Sequence, residues 1–267
     1  FQMFAKLLKY EWRSSRKTIA TLCTVILISG LLIGSATLAM VRWDSLSSGS
    51  DLLAIIPVLL ISLCIMAVAV SCAASVFYAL WRFYKSRFTE EGYLTYTLPV
   101  NNHFLILSSL LMSALEILLV LLAAGVAVAL ALGIFSLSLP WKDIGPETWK
   151  AVTRVLGELG NELANHGTDF LLLLVTAILG GISTLIMLML SVTVGAIVAK
   201  KHPILMAVVV FYGIGILRSV LNVAGLITGG EEAVYSALTM MNISSLVTIG
   251  AGYALIYWLT GKKLNLT

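Results

Sequence analysis

The sequence predicts an all-α integral membrane protein with six transmembrane helices, and three observations carry that expectation. Of 267 residues, 60% are hydrophobic and 11% are charged, against roughly 25% charged in an ordinary soluble domain. A mean hydropathy of +1.01 leaves too little polar surface to cover a water-soluble core, whereas lipid solvates the excess. Apolar stretches of spanning length occur six times, at 18–41, 52–81, 104–139, 170–199, 204–228 and 237–260, each reaching the about 20 residues that a bilayer requires.

Charge placement sets the orientation. Lys6, Lys9, Arg13, Arg16 and Lys17 precede the first span, Arg82, Lys85 and Arg87 follow the second, Lys200 and Lys201 follow the fourth, and Lys262 and Lys263 close the chain. The opposite connections hold only Arg42, Lys142, Lys150 and Arg154. By the positive-inside rule both termini are expected in the cytoplasm. The net charge of +4 therefore reports topology, and no nucleic-acid partner is expected. Cys23, Cys64 and Cys72 all fall in apolar runs, an odd number without metal-ligand spacing, and read as small hydrophobes rather than disulfide or metal residues.

Taking the elements in order, residues 1–17 form an amphipathic segment. Phe1 and Gln2 precede Met3, the plausible initiator, and read as the remnant of a tag. From Met3 onward, Phe4, Leu7, Leu8 and Trp12 share one helical face and the basic residues the other, the pattern of a helix lying in the cytoplasmic interface against anionic headgroups and the bilayer. Glu11 interrupts the apolar face. It is either matched by a cation such as Arg82 or Lys85 or solvated at the helix edge. Residues 18–267 form the six-span domain. In its first span Gly30 and Gly34 have small-xxx-small spacing, which serves either a seam between two chains or packing within one.

Two connections are long enough to do more than turn. The outer one, 140–169, contains GPETWKAVTRVLGELGNELANHG, with Pro146 at a helix start, apolar residues at helical spacing and Gly167 as a stop. It predicts an extracellular amphipathic helix, either a cap on the bundle or a passive lid. The inner one, 82–103, reads RFYKSRFTEEGYLTYTLPVNNH. Thr89 is a candidate N-cap, Glu90 and Glu91 suit the first turn of a helix, and Pro99 drives Leu98 out of helical geometry. The result is a short helix of about two turns at cytoplasmic depth, attached to two long spans.

Glu116 and Arg218 are the deep ionisable residues, each costing about 2.5–3.5 kcal/mol at the bilayer centre if unpaired. Counted from the cytoplasmic ends of their spans they reach similar depth, and Asn222 lies one turn beyond Arg218. Glu116 and Arg218 are expected to meet, within one subunit or across a dimer, and with Asn222 to mark a polar stretch or gate of a pathway; the alternative is a structural ion pair that holds two helices together. Phosphate-loop, H-E-x-x-H and G-x-S-x-G motifs do not occur, so neither an enzyme, a catalytic residue nor a bound metal is expected.

The segment EEGYLTYTLPV after RFYKSRF, the opening MFAKLLKYEWRSS and the closing GKKLNL resemble the small six-span permease subunits of ABC-2 type transporters, common in Gram-positive bacteria. The resemblance implies an ABC-2 (type V exporter-like) permease fold in a bacterial plasma membrane, with residues 1–17 as an elbow helix. It makes Glu90, Glu91, Gly92, Tyr93, Leu94, Thr97, Leu98 and Pro99 the coupling helix that docks on a separate ABC ATPase, which binds the ATP and Mg²⁺ while this chain binds no cofactor itself. It also implies a second permease chain, identical or paralogous, with Gly30 and Gly34 at the seam. The chain departs from larger members of the wider family, because its outer helix follows the third span while the connection between the fifth and sixth, 229–236, is short. The expected activity is export of an amphipathic or lipid-like cargo such as an antimicrobial peptide or drug. The alternative is the substrate-capture membrane component of an energy-coupling importer.

Overall fold

A computed structural model describes residues 2–44, 51–89, 102–136, 150, 153–154, 157–158, 160–161, 167–199, 201–228 and 233–263. Regular structure among the described residues is entirely helical: α1 (Gln2–Asp44), α2 (Asp51–Phe88), α3 (Asn102–Ser136), α4 (Gly167–Val198), α5 (Pro203–Thr228) and α6 (Ala233–Lys263). Each contains a stretch long and apolar enough to cross a membrane, as hydropathy predicts. Residues 90–99, which include the expected coupling helix, lie outside the described residues. So does most of the outer connection, but Lys150, Thr153, Arg154, Glu158 and Asn161 are helical and exposed.

The boundary expected between an elbow at 1–17 and a span at 18–41 is not a break. α1 runs uninterrupted for 43 residues, about 64 Å at 1.5 Å per residue, because nothing from Gln2 to Ser29 breaks a helix and the hydrophobic period continues in phase. Its covered stripe passes through Leu8, Glu11, Ser15, Ile19, Leu22 and Ile26. Trp12, on the apolar face expected to meet the bilayer, is 41% exposed, and Ser15 is fully buried. A short hydroxyl that returns its hydrogen bond to the Glu11 carbonyl at 2.9 Å fits a close contact that an indole does not.

The chain divides into two compact units. One comprises Lys9–Ala79 and Leu115–Gly157. Its core is Ile26 of α1 with Val120 and Ala127 of α3, and Leu22, Cys23 and Cys72 pack around them. Gly30 and Gly34 let α1 approach α3: a Cβ on Gly30 would meet the Ala127 carbonyl oxygen at 2.7 Å, and one on Gly34 would meet Ile134 Cβ at 2.8 Å. Gly30 and Gly34 thus lie against the chain's own α3, the second of the two uses that their spacing allows.

The other unit comprises Phe1–Leu8, Leu80–Ala114 and Glu158–Thr267. In it α4, α5 and α6 pack pairwise against one another. The end of α2 and the start of α3 join them through a core of Phe83, Ile106, Ile186, Met189, Leu190 and Ile256. Two glycines set the helix spacing. A Cβ on Gly195 of α4 would meet the Pro203 carbonyl oxygen at 2.5 Å, and one on Gly252 of α6 would meet Ile186 Cγ2 at 2.7 Å.

Candidate functional site

The stems of the inner connection are tied to one another and to α6 by side-chain contacts. α2 ends with Lys85 and Arg87 in its last turn, where cations interact favourably with the helix dipole. Arg87 is only 3% exposed. Its Nη2 donates to the Leu105 carbonyl oxygen and, at 3.2 Å, to Ser109 Oγ, both on α3. Charge-assisted bonds of this kind contribute about 1.5–3 kcal/mol each when buried. The guanidinium thus fastens the last turn of α2 to the first turns of α3. Phe83 packs edge-on against Phe88 with ring centroids 6.2 Å apart.

α3 is fixed at its start from two further directions. The His103 ring stacks on Tyr257 of α6 at 3.9 Å and 11°, and His103 Nδ1 lies 3.3 Å from the Tyr253 hydroxyl. Phe104 meets Phe4 of α1 at 5.9 Å. Thr89, expected to cap the coupling helix, donates to the Lys85 carbonyl at 2.5 Å, so its hydroxyl closes α2. A threonine hydroxyl at the end of a helix finds the i−4 carbonyl as readily as the amides of a following turn. Whatever the conformation of residues 90–99, their anchors are continuous with the α4–α6 core.

A second polar cluster lies between α5 and α6. Arg218 Nη2 donates to Ser245 Oγ at 2.6 Å, and one turn along α5 Asn222 Oδ1 accepts from Ser244 Oγ at 2.9 Å. Both serines are nearly buried, at 1% and 8% exposure. The two bonds tie α5 to α6. Glu116 lies in α3 and is fully buried, but it belongs to the first unit, with Lys9–Ala79, whereas Arg218 and Asn222 belong to the second. Within its own unit, Arg218 is held by Ser245. Glu11, with one carboxylate oxygen buried, and Arg82, with both terminal nitrogens buried, are likewise in different units.

The sequence indicated the residues 90–99, Glu116, Arg218 and Asn222 but not their neighbours. The Arg87 clamp, the His103 stack and the Ser244–Ser245 pair carry weak sequence signals. An arginine near a span end reads as a topology marker, and two serines in an apolar run read as filler. Among the described residues no group of His, Cys, Asp or Glu side chains gathers closely enough to hold a metal ion.

The arrangement defines a class, an all-helical multi-pass membrane protein. No family model, curated protein or solved structure matches the chain, so any narrower reading depends on its own residues.

Proposed function

We propose that the chain is the permease subunit of an ATP-binding-cassette exporter that moves an amphipathic or lipid-like molecule out of a bacterial cell. A separate ATPase subunit, carrying ATP and Mg²⁺, docks on residues 90–99, and a second permease chain completes the pathway. The observation that supports this most is the construction of the stems. A force on the inner connection enters α2 and α3 at Arg87 and His103. It is passed to α6 through Tyr253 and Tyr257, and to α4 through the core around Phe83 and Ile106. A loop that only closed a turn would need no buried arginine across its base. Docking of the ATPase shifts the populations of inward- and outward-open states by its different affinity for each, and rigid stems make that difference felt in the spans.

The test is a search for a reading frame beside the gene that encodes a phosphate-loop ATPase, and co-purification of its product with this chain. Glu90→Lys with Glu91→Lys is expected to abolish capture of the ATPase. Arg87→Met is expected to leave capture intact but to lower transport-stimulated ATP hydrolysis severalfold. Nucleotide hydrolysis by the purified chain alone, or ATPase capture that survives deletion of 90–99, refutes the reading.

A further inference from the structure

Arg218 is held by a hydroxyl of α6, and the described parts of α5 and of the helices packed on it, α4 and α6, hold a single acid. α5 and α6 contain no Asp or Glu at all. The only acid of α4, Asp169, lies in its first turn and accepts from the Tyr235 hydroxyl. A guanidinium presents five N–H donors. One goes to Ser245 Oγ, and since Ser245 itself donates to the Met241 carbonyl at 2.7 Å, its hydroxyl serves Arg218 as acceptor. Asn222 takes its hydrogen bond from Ser244 through Oδ1, which leaves the amide N–H pair for another partner.

Depth and surroundings narrow what that partner is. α5 continues for ten residues past Arg218, to Thr228, or about 15 Å along the helix. That places the guanidinium inside the span, where lipid does not solvate it. Ser245 holds it sideways against α6, so it is not free to extend into water. Beside it Leu217, Val220 and Leu221 of α5 are 66%, 61% and 54% exposed, an apolar surface that suits an acyl or alkyl chain. At low dielectric a desolvated cation recognises an anion strongly, and a planar guanidinium matches the paired oxygens of phosphate or carboxylate.

We infer that Arg218 and Asn222, held by Ser245 and Ser244, form a site for the phosphate or carboxylate of an anionic amphiphile whose chain lies along the exposed face of α5. The amphiphile is either a leaflet lipid or a free molecule of the same chemistry. As a cargo site this rests on the exporter reading; as a binding site it does not.

The experiment uses the full chain in phosphatidylcholine nanodiscs, with no ATPase present. Phosphatidylglycerol is introduced in one arm and dodecyl phosphate in the other, against dodecylphosphocholine as the zwitterionic control. Retention is read by native mass spectrometry and stability by the thermal midpoint. The wild-type chain is expected to prefer an anionic probe by roughly ten- to a hundredfold, the strength of one or two charge-assisted bonds. Arg218→Gln abolishes the preference and Arg218→Lys keeps part of it. Preference for phosphatidylglycerol alone assigns a lipid site, and preference for dodecyl phosphate assigns a site for free amphiphiles.

Should Arg218→Gln fail to fold, Asn222→Leu must still weaken the preference severalfold. Equal retention of anionic and zwitterionic probes by the wild type, or a preference unchanged in Arg218→Gln or, in its place, Asn222→Leu, overturns the proposal. So does Glu116→Arg combined with Arg218→Glu, if the pair recovers the stability that each single change loses, because the guanidinium is then matched within the protein. Capture of the ATPase through 90–99 is a separate measurement, so the two readings fail independently.

Discussion

Replacing Gly30 by alanine should destabilise the single chain, whatever its state of assembly. The new Cβ would lie 2.7 Å from both the Cβ and the carbonyl oxygen of Ala127 and 2.8 Å from its Cα. Favourable carbon contacts begin near 3.5 Å, so α1 and α3 must part locally by roughly 0.8 Å. Two of the three atoms are backbone, and no rotamer change relieves them. Overpacking of this kind costs about 1–3 kcal/mol, and the higher helix propensity of alanine offsets up to about 1 kcal/mol of it. A net loss of about 1–2 kcal/mol lowers the thermal midpoint by roughly 2–8 °C for a chain of this size.

The assay is thermal denaturation of the purified protein in detergent over a tenfold range of chain concentration. A contact inside the chain gives a drop independent of concentration. Ala127→Gly in the same background should restore only part of the loss, since it removes the Cβ and leaves the carbonyl oxygen and Cα in place. An unchanged midpoint together with loss of a covalent or sedimenting dimer would refute the intrachain assignment and return Gly30 to a seam between chains.

Two further substitutions test the second unit. Gly195→Val should cost at least as much as Gly30→Ala, because its Cβ would sit 2.5 Å from the Pro203 carbonyl oxygen and 2.9 Å from the Ala207 amide nitrogen, whereas Gly213→Ala, with nothing within 4 Å, should be neutral or stabilising by up to about 1 kcal/mol; equal midpoints for the two variants would contradict the close α4–α5 approach. His103→Ala should speed amide hydrogen exchange across residues 102–106 severalfold by freeing α3 from Tyr253 and Tyr257, while His103→Phe, which keeps a stacking ring, should show a smaller change; identical exchange in both would mean that the stack holds nothing.

The spans were legible because the bilayer imposes one requirement, length of apolar helix, that hydropathy measures directly. The expected 170–199 and 204–228 correspond to Gly167–Val198 and Pro203–Thr228. The ends were less legible where polar sequence continued a helical period. Residues 2–17 extend α1 and 82–88 extend α2, since Lys and Arg are good helix formers and hydropathy does not register them. Partner choice was not legible. Gly30 and Gly34 announce a close approach but not by whom, because small-residue spacing carries no address. Likewise the depth of Arg218 could be counted from the span, while Ser245 as its partner depends on which helix packs beside α5.

The hydroxyls of the spans explain why so few residues give this protein its lateral specificity. Most serine and threonine side chains turn back onto their own helix: Ser29 donates to the Ile26 carbonyl at 2.8 Å, Thr176 to Leu172 at 2.7 Å, Ser191 to Met187 at 2.7 Å and Thr193 to Met189 at 2.8 Å. Each is satisfied without a neighbour, so it contributes nothing to choosing one, even though hydrocarbon makes an unsatisfied hydroxyl costly. In the described α2–α3 and α5–α6 contacts the hydroxyls that cross between helices meet an arginine or, for Ser244, the Asn222 side-chain oxygen. Ser109 serves Arg87 and Ser245 serves Arg218. Two desolvated guanidiniums in one unit therefore hold two helix pairs, one at the base of the inner connection and one within the span. A cation that cannot be solvated by lipid fixes the geometry around it more strictly than any apolar contact, which slides at little cost.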